Sequence, residues 1–216
     1  MHLARRLGHP YSLTFALLNE AQIHIFRGAA EPALASATAG KAVAEQHGFA
    51  FPVCWALHIQ AWALALLGER RRALACIADI AKLTLPQSQV IRSYLQLYLA
   101  EAYHYLAMPE AGLATLADID DDYVSVDTPE QNRLRGEFLW QQGDIQNAER
   151  YLLQAVEDGI ATQNRSYTLR ALLSLTRLTQ NERHRQQLAQ FYGEFTEGHD
   201  SADLLAVRDL LDSIGT

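Results

Sequence analysis

The residues that could do chemistry are few and scattered. Gly40-Lys41 offers a glycine and a lysine, but Ala42 follows and no glycine stands five positions before. A phosphate loop needs Gly-rich backbone beside Lys and Ser/Thr, so this pair reads as part of a helix. Cys54 and Cys76 sit in apolar helical patterns with no evident histidine partner. They read as small core residues rather than nucleophiles. The eight histidines do not converge, and only His58 and His104 fall on neighbouring elements. Two polar residues lining a helix face are the better reading than a metal pair. Asp118, Asp120, Asp121 and Asp122 cluster, yet they lack the glycine and distal glutamate of a calcium loop. They read as a solvated acidic loop. Glu101 and Glu137 could form acid–base groups, although salt-bridged or solvated carboxylates are commoner. Arg70-Arg71-Arg72 reads as a charged turn. No catalytic residue, cofactor or metal site is assigned from these residues.

The elements that must position such residues are helices. Ala and Leu together number 66 and Val and Ile 17, in a chain of 216 residues. That balance favours helix over strand. Hydrophobic residues are 49%, enough for a core and too many for a disordered chain. A net charge of −7 argues against general nucleic-acid binding. Mean hydropathy is −0.10, and no apolar run of about 18 residues suggests a membrane span. Two cysteines in apolar patterns exclude a disulfide scaffold, and a cytoplasmic setting is expected.

Internal repetition is the strongest signal. Small residues recur twelve positions apart as Ala21/Ala33, Ala61/Ala73, Ala100/Gly112 and Gly136/Ala148. Seven residues after each first member stands Gly28, Gly68, Ala107 or Gly143. Antiparallel helices approach most closely beside their turn, where small side chains fit and the turn itself favours glycine. The expectation is an all-α fold, an α-solenoid of antiparallel helix pairs. One domain spans 1–216, with units of about 11–50, 51–86, 87–127 and 128–163. A degenerate fifth pair and a capping helix fill 164–216. The helices are expected near 12–27, 30–47, 52–67, 69–84, 88–107, 109–118, 129–142, 145–162, 166–179, 182–196 and 202–213.

The spacing resembles the tetratricopeptide repeat. Gly136, Leu139, Gly143, Ala148, Leu152 and Ala155 match that signature, whereas His24 and Gly40 depart from it in the first unit. Spacings of 40, 39 and 36 residues between the anchors exceed the usual repeat of about 34. The resemblance implies a right-handed superhelix. Residues 2–7 look like the end of a second helix, with Gly8 as its stop. A chain starting in mid-repeat would expose apolar residues of 12–27, including Phe15, Leu18, Ile25 and Phe26, and a weak homodimer is expected.

Wider stretches are similar to the C-terminal repeat region of bacterial signalling ATPases, of the cyclase-linked or transcription-regulator type. They include Leu7-Gly8-His9-Pro10, Glu45-Gln46-His47-Gly48-Phe49, Arg133-Leu134-Arg135-Gly136-Glu137, Gln141-Gln142-Gly143-Asp144 and Tyr192-Gly193-Glu194-Phe195-Thr196-Glu197-Gly198. The fifth unit falls about four residues short of the pattern, which leaves its turn open. The resemblance implies a non-catalytic scaffold that binds a protein, a peptide or upstream ATPase domains, with no nucleic-acid or membrane partner. Its concave face would carry Trp55, His58, Trp62, Tyr94, Glu101, His104, Tyr105, Arg133, Glu137 and Trp140. Whether these side chains form an open binding face or a buried core stays open at this point. A small-molecule sensor using the same groove is the alternative.

Overall fold

A computed structural model describes residues 9–84, 86–119 and 125–214 of the chain. All regular structure among these residues is helical. The chain forms two compact units, Met1–Leu106 and Ala107–Thr216. The boundary falls between the two helices expected as the third pair, so each of those helices is described with its own unit.

The first unit holds α1 (Pro10–Phe26), α2 (Ala30–Gln46), α3 (Ala50–Leu66), α4 (Arg70–Ile80) and α5 (Gln89–Tyr105). Each of α1 to α3 packs against its successor, and α3 also packs against both α1 and α5. Helix α3 is therefore central, and thirteen of its seventeen residues are buried. The face that α2 buries is built from Ala30, Ala33, Ala37, Gly40 and Ala44. These small residues recur every three or four positions and let the backbones approach closely. At Gly40 an added Cβ would lie 3.0 Å from Leu18 Cδ2, so the usual alanine would press on that side chain.

The second unit holds α6 (Pro109–Ala117), α7 (Thr128–Gln141), α8 (Ile145–Ala161), α9 (Arg165–Thr179), α10 (Glu182–Tyr192) and α11 (Ala202–Ile214). Consecutive helices again pack together, and α7 packs on α9. The glycine of the repeat signature explains itself here. A Cβ on Gly136 would meet Leu152 Cγ at 2.7 Å and the Ala148 carbonyl oxygen at 3.1 Å.

The twelve-residue register holds at its anchors. Ala21, Ala33, Ala61, Ala73, Ala100 and Ala148 are fully buried, and Gly112 and Gly136 are buried. The four residues placed at turns all adopt left-handed backbone: Gly28 at φ 67°, Gly68 at 75°, Ala107 at 52° and Gly143 at 83°. Ala107 does so without being glycine, a cost of about 1–2 kcal/mol that the flanking helices offset. The fifth pair turns through left-handed Gln180 at φ 49°, and the Asn181 side chain caps α10 by accepting from Arg183 N.

Some helices differ in length from expectation. Helix α4 ends at Ile80 rather than near 84, and α10 ends at Tyr192 rather than near 196. Residues 2–7 and Asp120 to Asp122 lie outside the described residues. Of the apolar set expected at an exposed end, Leu18 and Ile25 are buried, Phe15 is half-buried, and Phe26 is 57% exposed. The reason is local: the inner face of α1 lies against α2 and α3.

Candidate functional site

In the first unit the packing of α1, α3 and α5 brings aromatic side chains from three helices into one row. Tyr11 and Phe15 rings lie 4.7 Å apart, and Phe15 meets the edge of Trp55 at 5.9 Å. Trp55 stacks on Phe51 at 6.1 Å and turns an edge to Tyr94 at 6.4 Å. The Tyr98 hydroxyl donates to that of Tyr94. The row is graded in depth. Tyr11 is 45% exposed, Phe15, Phe51 and Tyr94 are half-buried, and Trp55 and Tyr98 are buried.

His58 and Trp62 follow Trp55 on the same side of α3 and are fully enclosed. His58 Nδ1 lies 2.8 Å from the Cys54 carbonyl oxygen and donates to it. That bond fixes the neutral tautomer with the lone pair on Nε2, which has no hydrogen-bond partner. Burial lowers the imidazole pKa to about 4, against a smaller opposing effect of the Cys54 hydrogen bond. The indole N–H groups of Trp55 and Trp62 are likewise buried without a partner. Glu101 is buried on α5, His104 is half-buried, and Tyr105 is 37% exposed with its ring edge-on to Trp62 at 6.4 Å.

Position on the first helices was therefore legible, and depth was not. Trp55, His58, Trp62 and Glu101 are core-facing, because tight packing of α3 between its neighbours encloses that side. Phe15, Tyr94, His104 and Tyr105 form the accessible margin, and Tyr11 extends it.

In the second unit the polar side chains of α7 turn inward and pair. Arg133 donates through Nε and Nη2 to both Glu130 oxygens, at 2.9 and 2.6 Å. Its Nη1 lies 3.6 Å from Glu137 Oε1, which also accepts from the Ser174 hydroxyl. Arg170 on α9 reaches Glu130 at 2.8 Å and Asp203 on α11 at 3.1 Å. Glu130 is 1% exposed and Arg133 and Glu137 are each 8% exposed. Burial opposes the charge on Arg133, and attraction and hydrogen bonding to Glu130 outweigh it, so the guanidinium is held protonated. Trp140 is half-buried at the end of the same helix.

The spacing Glu130, Arg133, Glu137 was readable as i,i+3 and i,i+4 pairs. Arg170, Ser174 and Asp203 were missed, since nothing in sequence marks which distant side chains complete a buried network. Paired in this way, Glu130 and Asp203 engage both carboxylate oxygens within the fold, and Glu137 engages Oε1.

Both cysteines are free, and burial raises their thiol pKa values, that of Cys54 to about 11. Among the described residues, no three or more His, Cys, Asp or Glu side chains come together as a metal site would need, and no helix is long and apolar enough to cross a membrane. No protein-family model matches the chain, and a search of curated proteins returns no match.

Proposed function

We propose that the chain is a non-catalytic protein-interaction module, a right-handed tetratricopeptide-like solenoid that presents the inner helices α1, α3, α5, α7 and α9 to a protein or peptide. The supporting pattern is that first helices pack on first helices, through α1, α3 and α5 in one unit and α7 and α9 in the other. The four left-handed turns at the repeat register support it too. The observation that carries the reading is the aromatic row, whose accessible members rest on buried Trp55 and Trp62. Rigid, half-buried aromatic side chains make good anchors, because they bury much area at low entropy cost. The sequence resemblance adds a more specific form of the proposal: a regulatory module of a cytoplasmic signalling ATPase, with upstream domains as its partner.

Panning a random peptide library on the full chain tests the reading. Selected peptides should lose about tenfold in affinity with Tyr11→Ser or Tyr105→Ser, the loss expected of an aromatic anchor. Leu153→Ser, at a 40% exposed position on α8, should leave binding unchanged. The reverse pattern, or the recovery of no binding peptide, would refute the proposal. A weak homodimer belongs to the same proposal, since Ile23 and Phe26 are 58% and 57% exposed at the end of α1. Sedimentation over a wide concentration range checks it, and a strictly monomeric chain contradicts it.

The second reading, a small-molecule sensor, is favoured by one observation. Trp55 Nε1, His58 Nε2 and Trp62 Nε1 lie on one side of α3, buried and without partners. A polar ligand entering between α3 and α5 would quench tryptophan fluorescence and protect the indole N–H groups from exchange. A protein partner held at the accessible margin would leave those N–H groups unchanged.

A further inference from the structure

In the first unit, α1, α3 and α5 carry an apolar pair at the same place. Counted from the start of each helix, the second and sixth residues are Tyr11 and Phe15 on α1, Phe51 and Trp55 on α3, and Val90 and Tyr94 on α5. Members of a pair are four residues apart and so share a helix face. Because α3 packs on both α1 and α5, the three pairs stand side by side.

The sixth residues are the deeper rung. Phe15 and Tyr94 each meet the Trp55 ring, at 5.9 and 6.4 Å, and Trp55 is buried. The second residues are the accessible rung. Tyr11 is 45% exposed, Val90 is 59% exposed and Phe51 is half-buried. None of the six carries a charge. The Tyr11 hydroxyl bonds to no described residue, so it can donate to a carbonyl oxygen of a ligand.

Spacing and charge give the ligand its class. Packed helices lie about 8–10 Å apart, so the accessible rung offers one apolar contact at each such interval. A polyproline II chain has three residues per turn and rises about 3.1 Å per residue, so one face returns about every 9 Å. A β-strand returns its face about every 7 Å and an α-helix about every 5.4 Å, and neither keeps step with the rung. An uncharged rung selects neither an acidic nor a basic segment. Proline rings laid on aromatic rings bury apolar area with little conformational entropy left to lose.

We infer that the partner of the aromatic row is a neutral, proline-rich segment in the polyproline II conformation. It crosses α1, α3 and α5 at their first turns, with every third residue seated in turn at Tyr11, Phe51 and Val90. The inference rests on the proposed interaction module and names the chemistry of its ligand. It also adds Val90, which has no ring, to the binding surface.

Three end-blocked peptides of similar length are the probes: decaproline, four repeats of Pro-Ser-Ser and six repeats of Pro-Ser. Each is titrated into the full chain and followed by chemical shifts and calorimetry. Decaproline should bind saturably, with shifts centred on Tyr11, Phe15, Phe51, Val90 and Tyr94. The period-three peptide should bind several-fold tighter than the period-two peptide, although it holds fewer prolines. Tyr11→Ser should weaken decaproline by about tenfold and Val90→Ser by about threefold, both at exposed positions where the fold tolerates the change. Leu153→Ser should leave binding unchanged. No saturable binding at millimolar decaproline would overturn the inference. So would equal or tighter binding of the period-two peptide, or an affinity unmoved by Val90→Ser. Library peptides that bind through the aromatic row without proline at every third position would overturn this inference and leave the interaction module standing. A chain that captures no peptide would overturn both.

Discussion

The Phe138 ring fills the space above Gly112. A Cβ built on that glycine would lie 2.1 Å from Cζ of the ring, which is itself fully buried. Helix α6 can sit this close to α7 only because position 112 carries no side chain. Gly112→Ala should therefore destabilise the second unit by roughly 1–3 kcal/mol, the usual cost of overpacking. Phe138→Leu should partly relieve the alanine, so that the double variant loses less than the two single losses added together. Urea unfolding of the four chains measures the coupling, and strict additivity would show that the ring and the glycine do not share this contact.

Ala73 and Ala148 test the repeat register in both units. Each is fully buried at a closest-approach position. Ala73→Leu or Ala148→Leu should cost roughly 1–3 kcal/mol by forcing the paired helices apart. Unchanged melting temperatures for both would place the helix contacts elsewhere.

These positions were legible from sequence because a close helix contact excludes every large residue, and exclusion leaves a visible pattern. The turns were legible for another reason, since their left-handed backbone favours glycine, although Ala107 adopts it as well. Depth was not. Trp55 and Tyr11 look alike in a sequence, yet one is 6% exposed and the other 45%. Burial depends on how many neighbours surround a helix, and α3 has four. The Arg170–Asp203 pair was illegible because 33 residues separate its members and no local period links them.

His58 gives the first unit a dependence on acid. In the unfolded chain its pKa is near 6.5, and in the folded chain it is about 4. Above pH 6.5 both states hold a neutral ring, and His58 adds no slope. Between those values the unfolded chain takes up a proton that the folded chain refuses, so stability falls as pH falls. At about 1.4 kcal/mol per unit, the loss across the window is on the order of 3 kcal/mol. His58→Gln should flatten this slope, although the chain starts less stable at neutral pH. Urea midpoints measured at neutral pH and near the acid end check it. An equally steep slope in the variant would assign the acid sensitivity to another group.

The ionic network of the second unit should be unequal in its parts. Arg170→Met leaves Glu130 without one of its two guanidinium partners at a 1% exposed site, a loss expected to approach the 3–5 kcal/mol of a broken buried pair. Asp203 is 28% exposed, so Asp203→Asn should cost only about 0–1 kcal/mol, and less in high salt. Denaturation at low and high ionic strength separates the two. Equal losses would mean that burial does not govern the strength of these pairs.

On the proposed function, partners are met by the inner first helices. The most direct measurement is the map of amide and side-chain shifts on the full chain as a selected peptide is titrated in. Changes should concentrate at Tyr11, Phe15, Phe51, Tyr94, His104 and Tyr105, with the outer faces of α2, α4 and α8 silent. Changes centred on those outer helices, with the aromatic margin unmoved, would contradict it.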